Sequence, residues 1–166
     1  MFIVLPEHLP QEVCSELIDI YKHNENISEE WRRTQPLDLR KIPNQEELTK
    51  CKFVTRYVNN TAVRFFGIET YVEVSQIVKW PVGSMQPVHR DMARETTTFT
   101  SITYLNDDFE GGETYFTDED LLIKPKVGRT ILFDGKRFEH GVRKITNGTR
   151  YTLALWYSNN VMECEV

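Results

Sequence analysis

His89 and Asp91, separated only by Arg90, are answered much later in the chain by His140, and Arg150 follows ten residues after that histidine. Alternate residues of a β-strand point to one face, so His89 and Asp91 aim at a common point while Arg90 turns away. His140, on a distant strand, supplies a third ligand. Two imidazoles and one carboxylate fill one face of an octahedron and leave the opposite positions open, a set suited to Fe(II) and to oxygen chemistry on it. Arg150 adds a different demand. A buried guanidinium needs an anion, and its planar fork suits a carboxylate at two points. A dicarboxylate co-substrate meets that demand.

The elements around these residues read mainly as strands. The run YVEVSQIVKW, Tyr71 to Trp80, precedes the His89–Asp91 pair and is followed by the breaker-rich stretch PVGSMQP. RTILFDG reads as a buried strand before His140, which itself opens the alternating run HGVRKI. In TRYTLALWY, Tyr151, Leu153 and Leu155 alternate with Arg150, Thr152, Ala154 and Trp156, placing Arg150 on one face with three companions. The expected strands are 70–80, 98–105, 113–117, 120–124, 129–133, 140–145 and 150–157, with turn-rich pieces such as NDDFEGGE, KPKVG and TNG between them. Glu113 and Tyr115 share a face of one of these strands, where either could meet a substrate.

Ahead of that region, Phe2 to Leu5 reads as a short strand. Pro10 precedes a helix with an apolar stripe of Val13, Leu17, Ile18, Ile20 and Tyr21. Residues 31–43 carry mixed charge and two prolines and read as a loop bordering the site. Asn44 is the expected N-cap of a long helix whose stripe is Leu48, Cys51, Thr55, Val58, Ala62 and Phe65 and which stops at Gly67. The polar stretch 90–97 reads as a mobile flap, and Arg40, Lys41, Arg94 and Glu95 fall in loops around the mouth. The expected architecture is a β-sandwich or distorted barrel with helices outside one sheet. It forms a single domain over 1–166, with helical support in 1–68 and the β core in 69–158.

With 166 residues the chain can bury a sizeable core. Its formal net charge of -5 argues against a general nucleic-acid-binding surface. Cys14, Cys51 and Cys164 show no CxxC spacing, so reduced thiols in a cytoplasmic protein are expected. MFIVLP lacks a basic leader and a long apolar run, so neither a signal peptide nor a membrane span is expected.

Taken together, His89-Arg90-Asp91, the segment TYLNDDFEGGETYF, the distal EHGVRKI and the ending TRYTLALWY resemble the prolyl 4-hydroxylase branch of the 2-oxoglutarate and Fe(II)-dependent dioxygenases. The likeness spans roughly 70–158, and its last segment looks most like the hypoxia-sensing enzymes. The resemblance implies a double-stranded β-helix, the jelly-roll or cupin-like form of the sandwich, with N-terminal helices packed on one sheet. It implies that His89, Asp91 and His140 bind Fe(II), that Arg150 holds the distal carboxylate of 2-oxoglutarate and that Tyr104 assists it. Trp156 lines the site. Trp80 stands where the family usually has a tyrosine, so an indole N–H takes the place of a phenol. The implied reaction hydroxylates a prolyl residue in a peptide or protein and decarboxylates 2-oxoglutarate to succinate, with ascorbate an accessory reductant. The residues alone leave open a hydroxylase of a free amino acid or other small molecule, and a β-sandwich binding module with a vestigial metal site.

Overall fold

A computed structural model describes residues 1–91 and 95–161. In chain order the elements are β1 (Phe2–Leu5), α1 (Gln11–His23), β2 (Gln35–Asp38), α2 (Gln45–Phe66), β3 (Tyr71–Trp80), β4 (Gln86–His89), β5 (Thr97–Tyr104), β6 (Glu110–Gly111), β7 (Thr114–Phe116), β8 (Leu121–Ile123), β9 (Thr130–Asp134), β10 (His140–Val142), β11 (Ile145–Asn147) and β12 (Arg150–Ser158). A six-stranded sheet, β1-β9-β5-β12-β3-β2, faces a four-stranded sheet, β4-β10-β7-β8, and β11 pairs with β6 at one end. All pairings are antiparallel. This is the double-stranded β-helix, with both helices on the outer face of the larger sheet.

The period-2 pattern of β12 decides which residues meet the helices. Tyr151, Leu153, Leu155 and Tyr157 join Leu17, Ile20, Val58 and Ala62 in one core, while Ala154 and Trp156 pack on the inner side with Val78 and Trp80. Burying a Val, Leu or Phe side chain contributes about 1.5–3 kcal/mol, so this alternation fixes the register of β12 against slippage. A second inner cluster, Ile102, Phe116, Ile131, Phe133 and Phe138, fills the space between the sheets beside the site.

Asn44 caps α2 as expected, its side chain accepting from the backbone N–H groups of Glu46 and Glu47, and Gly67 ends the helix in the left-handed region. Asn44→Ala leaves two first-turn donors without that acceptor and is expected to cost about 1 kcal/mol, read as a fall of about 2–4 °C in the unfolding midpoint. An unchanged midpoint would show the cap to be energetically idle. The buried stripe of α2 uses Cys51, Val54, Val58, Ala62 and Phe66, so Phe66 and Val54 take the places expected of Phe65 and Thr55.

Several expectations need correction. The stretch 31–43 is not all loop: Gln35–Asp38 forms β2, an edge strand on β3, and Leu39–Lys41 is a 3-10 turn. The breaker-rich PVGSMQP runs into β4. The expected strand 140–145 is two pieces in different sheets, β10 and β11. Of the expected flap, residues 92–94 lie outside the described residues, Arg94 among them, and Thr97 already belongs to β5. Cys14 and Cys51 are buried free thiols, and Cys164 lies outside the described residues. No described helix is long and apolar enough to cross a membrane.

Candidate active site

The smaller sheet brings the two histidines together by direct pairing. His140 on β10 lies opposite His89 on β4, and their ring centroids are 4.3 Å apart. Asp91 sits just beyond the end of β4. Its backbone N–H donates to the carbonyl of Gly135 at 2.9 Å. A Cβ on Gly135 would stand 2.8 Å from the Asp91 Cβ, so only glycine permits that approach. One ligand atom from each of His89, Asp91 and His140 lies within 4.8 Å of the others.

The rings are oriented from behind. Nδ1 of His89 lies 2.9 Å from the Pro87 carbonyl, and Nδ1 of His140 lies 3.4 Å from the Phe138 carbonyl. A carbonyl only accepts, so each Nδ1 carries the hydrogen and each Nε2 keeps its lone pair for the front of the site. Those Nε2 atoms stand 3.3 and 3.6 Å from the two oxygens of Asp91. Phe116 stacks on the His140 ring and Phe133 meets it edge-on.

Charge follows from this packing. Burial works to raise the Asp91 carboxyl, but the two imidazoles beside it hold it below the ordinary carboxylate range. Burial works to lower His89, and the bond to Asp91 and the Pro87 carbonyl outweigh it, so His89 is raised. His140 is lowered, chiefly by burial. Two neutral-capable imidazoles and an ionised carboxylate converging on one point suit a divalent transition metal with a taste for nitrogen and oxygen.

Arg150 comes from the opposite sheet. It is 1% exposed, and its Nε and one Nη have no hydrogen-bond partner among the described residues. The other Nη donates to the Thr114 hydroxyl at 3.4 Å. Its guanidinium carbon lies 4.6 Å from the Trp80 ring centroid and 5.2 Å from that of Tyr104. Unpaired buried charge is costly, and the space beside it is a cavity of about 430 Å³ whose lining also includes His89, Asp91, His140, Trp80 and Trp156. A metal-binding corner and an unanswered cation therefore share one chamber. A dicarboxylate is the ligand that satisfies both.

The expected site residues fall as follows. Arg150, Thr152, Ala154 and Trp156 all line the cavity, as the alternation of β12 requires. Trp80 lies directly opposite Arg150 across the sheet. Its indole N–H donates to the Thr152 hydroxyl at 3.2 Å, so Trp80 offers a ring face rather than a spare donor. Tyr104 is fully buried behind the cavity wall, its hydroxyl donating to Thr114 Oγ1 at 2.7 Å. Glu113 and Tyr115 line a groove on the far side of the smaller sheet, away from the metal corner. Arg40 pairs with Asp38 and Lys41 with Glu29.

Thr114, between the two residues expected to matter, was missed. Its hydroxyl is hydrogen-bonded to both Tyr104 and Arg150, and only the strand's parity in the double-glycine segment could have pointed to it. Gln86 was missed too: its side-chain oxygen is buried without a partner among the described residues and faces the cavity.

The double glycine itself holds Arg150. Gly112 has φ 71°, and a Cβ there would stand 2.5 Å from Ile145 Cδ1 and 3.0 Å from Arg150 Cδ. Gly112→Ala is expected to cost about 1–3 kcal/mol through the left-handed backbone and the clash. It should also raise the KM for 2-oxoglutarate by pushing Arg150 off its position. A variant that melts and turns over as the parent does would remove that role.

Residues 75–158, just over half of the chain, match the family described as the 2OG-Fe(II) oxygenase superfamily. Prolyl 3-hydroxylase 2 of Homo sapiens is 46% identical over 66 residues, which cover 36% of this chain and 9% of that protein, so the chain spans only a small part of the curated relatives it matches. Among solved structures, a prolyl hydroxylase from Trichoplax adhaerens in complex with a hypoxia inducible factor peptide superposes with a TM-score of 0.79 at 17% identity, covering 95% of this chain and 83% of that one. A viral collagen prolyl hydroxylase from Paramecium Bursaria Chlorella virus-1 gives 0.71 at 22% identity, covering 95% and 94%. A prolyl-4-hydroxylase from Pseudomonas putida gives 0.75 at 15%, covering 96% and 92%. At such identities these likenesses speak for the fold. With the matched residues enclosing both the metal corner and Arg150, the chain belongs to the 2OG-Fe(II) oxygenase superfamily, with Fe(II) as cofactor and 2-oxoglutarate as co-substrate.

Proposed function

We propose that this chain hydroxylates a prolyl residue in a peptide or protein, with His89, Asp91 and His140 holding the iron and Arg150 holding the distal carboxylate of 2-oxoglutarate. The observation that carries the assignment of residues is the buried Arg150, two of whose nitrogens lack partners among the described residues, facing the same cavity as the three converging ligand atoms. Bound Fe(II) supplies the activation of dioxygen that couples oxidative decarboxylation of 2-oxoglutarate, to succinate and carbon dioxide, with insertion of one oxygen atom into a substrate C–H bond.

The chain's own residues do the positioning. The carbonyls of Pro87 and Phe138 fix the imidazole tautomers. Arg150 anchors the far carboxylate in a chamber walled by Trp80 and Val78, where low dielectric strengthens the pair. Thr114, braced by Tyr104, steadies the guanidinium from behind. Val78, Ile102, Val142 and Ala154 keep much of the wall apolar and limit water around a reactive centre.

A prolyl substrate is supported by the relatives, which are prolyl hydroxylases in both sequence and structure comparisons. For the position of attack, C4 is the reading favoured by the motif resemblance across 70–158. The 46% local identity to prolyl 3-hydroxylase 2 favours C3. The test is incubation with a panel of proline-containing peptides, Fe(II) and 2-oxoglutarate, followed by mass spectrometry and chromatographic separation of the hydroxyproline isomers. The expected result is succinate in step with 4-hydroxyproline. Oxygen appearing only in free amino acids or other small molecules would overturn the peptide substrate, and 3-hydroxyproline would overturn the position.

A further inference from the structure

Trp31 and Thr34 form an isolated antiparallel bridge, with backbone bonds of 2.8 and 2.9 Å, that closes a two-residue turn on Arg32 and Arg33. Both arginines have left-handed backbone, φ 48° and 68°. A turn with positive φ at both central residues favours asparagine and glycine, so two arginines stand here against the backbone's preference. Local folding does not explain them.

The turn lies on the rim of the active cavity. Trp31 is 48% exposed and lines the cavity together with Glu29, Thr34 and Pro36. Arg32 stacks on the Trp31 ring at 4.8 Å. One Arg33 Nη lies 3.9 Å from where a Cβ on Gly83 would be, above the turn between β3 and β4. Neither arginine forms an ion pair among the described residues. The Glu29 carboxylate on the same rim is taken by Lys41, and Glu30, though adjacent to Trp31, pairs with neither arginine among the described residues. An exposed aromatic face and two unanswered cations thus flank the entrance of a protein whose net charge is -5.

We propose that the Trp31–Thr34 turn reads the substrate, selecting a peptide with an acidic residue beside the target proline. Arg32 and Arg33 meet the carboxylate, and Trp31 packs on the apolar flank of the peptide. This rests on the peptide substrate proposed above, and it concerns which peptides are taken. Forked guanidinium–carboxylate contacts give direction as well as attraction. The negative charge elsewhere on the surface disfavours acidic chains that miss the turn.

The test compares fluorescein-labelled peptides that are identical except for glutamate or glutamine on either side of one proline. Binding is read by anisotropy on the Mn(II)- and 2-oxoglutarate-loaded protein, and hydroxylation is read separately by mass spectrometry. The expected result is about tenfold tighter binding of the glutamate peptide at low salt, shrinking as salt rises. In Arg32→Asn/Arg33→Gly, whose residues suit the turn, the two peptides should bind equally while the unfolding midpoint holds. Equal binding by the parent, or an undiminished preference in the variant, overturns the proposal. Acid-dependent binding without any hydroxyproline would instead sink the prolyl reading and leave the turn's selectivity standing.

Discussion

Replacing Arg150 with methionine is expected to raise the KM for 2-oxoglutarate steeply while making the ligand-free protein more stable. Both halves follow from one fact: the guanidinium is buried, and two of its nitrogens lack partners among the described residues. Desolvating a charge costs several kcal/mol even after relaxation. Against that stand the rings of Trp80 and Tyr104, worth about 0.5–2 kcal/mol each as cation–π partners, and a long bond to Thr114. The balance in the ligand-free state is unfavourable. Burial accordingly lowers the pKa of Arg150 from its ordinary value. An apolar side chain of similar length removes the penalty, and such replacements gain about 1–4 kcal/mol, which for a chain of this size raises the unfolding midpoint by about 2–4 °C per kcal/mol.

The functional cost runs the other way. Removing one member of a buried charge pair typically costs about 2–5 kcal/mol, so the KM for 2-oxoglutarate should rise by about 30-fold to several thousandfold. Arg150→Lys keeps the charge but not the fork and should fall between. Thermal shift of the Mn(II)-loaded protein with and without 2-oxoglutarate, together with succinate formation, reads both effects. A methionine variant that still gains stability from 2-oxoglutarate would show that the anion is held elsewhere. A midpoint several degrees below the parent would show that Arg150 is structurally satisfied after all.

What the sequence revealed and what it hid divide along contact range. The alternation of TRYTLALWY carried β12, both of its faces and the inward aim of Arg150, because period-2 burial is a local pattern. Asn44 and Gly67 marked the ends of α2 for the same reason. β2 stayed hidden because Gln-Pro-Leu-Asp has little strand propensity and a proline tolerated only at an edge; its pairing with β3 forms it. β4 hid behind the breakers that precede it.

At the site, the ligand types were legible and their support was not. Gly135 beneath Asp91 and Thr114 beside Arg150 act across 44 and 36 residues of chain, a range at which spacing carries no signal. Glu113 and Tyr115 share a face of the strand as expected, and it is Thr114 between them, on the other face, that reaches Arg150. Trp80 could be marked as unusual from its type. That its N–H is already committed to Thr152 depends on a diagonal contact between strands.

Metal binding should stabilise the protein strongly, and His89 is the residue whose loss isolates that effect. At a hundredfold excess over the dissociation constant, a ligand that binds only the folded state adds about 2.7 kcal/mol, so Mn(II) should raise the midpoint by about 5–10 °C. His140 is a poor choice for the test because its ring is buried against Phe116 and Phe133, and truncating it opens the core. The His89 side chain is 29% exposed, so His89→Ala removes a ligand with little loss of packing. The variant should melt near the metal-free parent and show almost no Mn(II) shift. The pH dependence has a definite sign. Asp91 and the Pro87 carbonyl raise His89 above its ordinary value, and a metal must displace that proton. Affinity therefore falls as pH drops through the raised pKa, and the Mn(II) shift should widen from about pH 6 to about pH 8. A shift that is flat with pH, or one that survives in His89→Ala, would mean that the metal sits on other ligands.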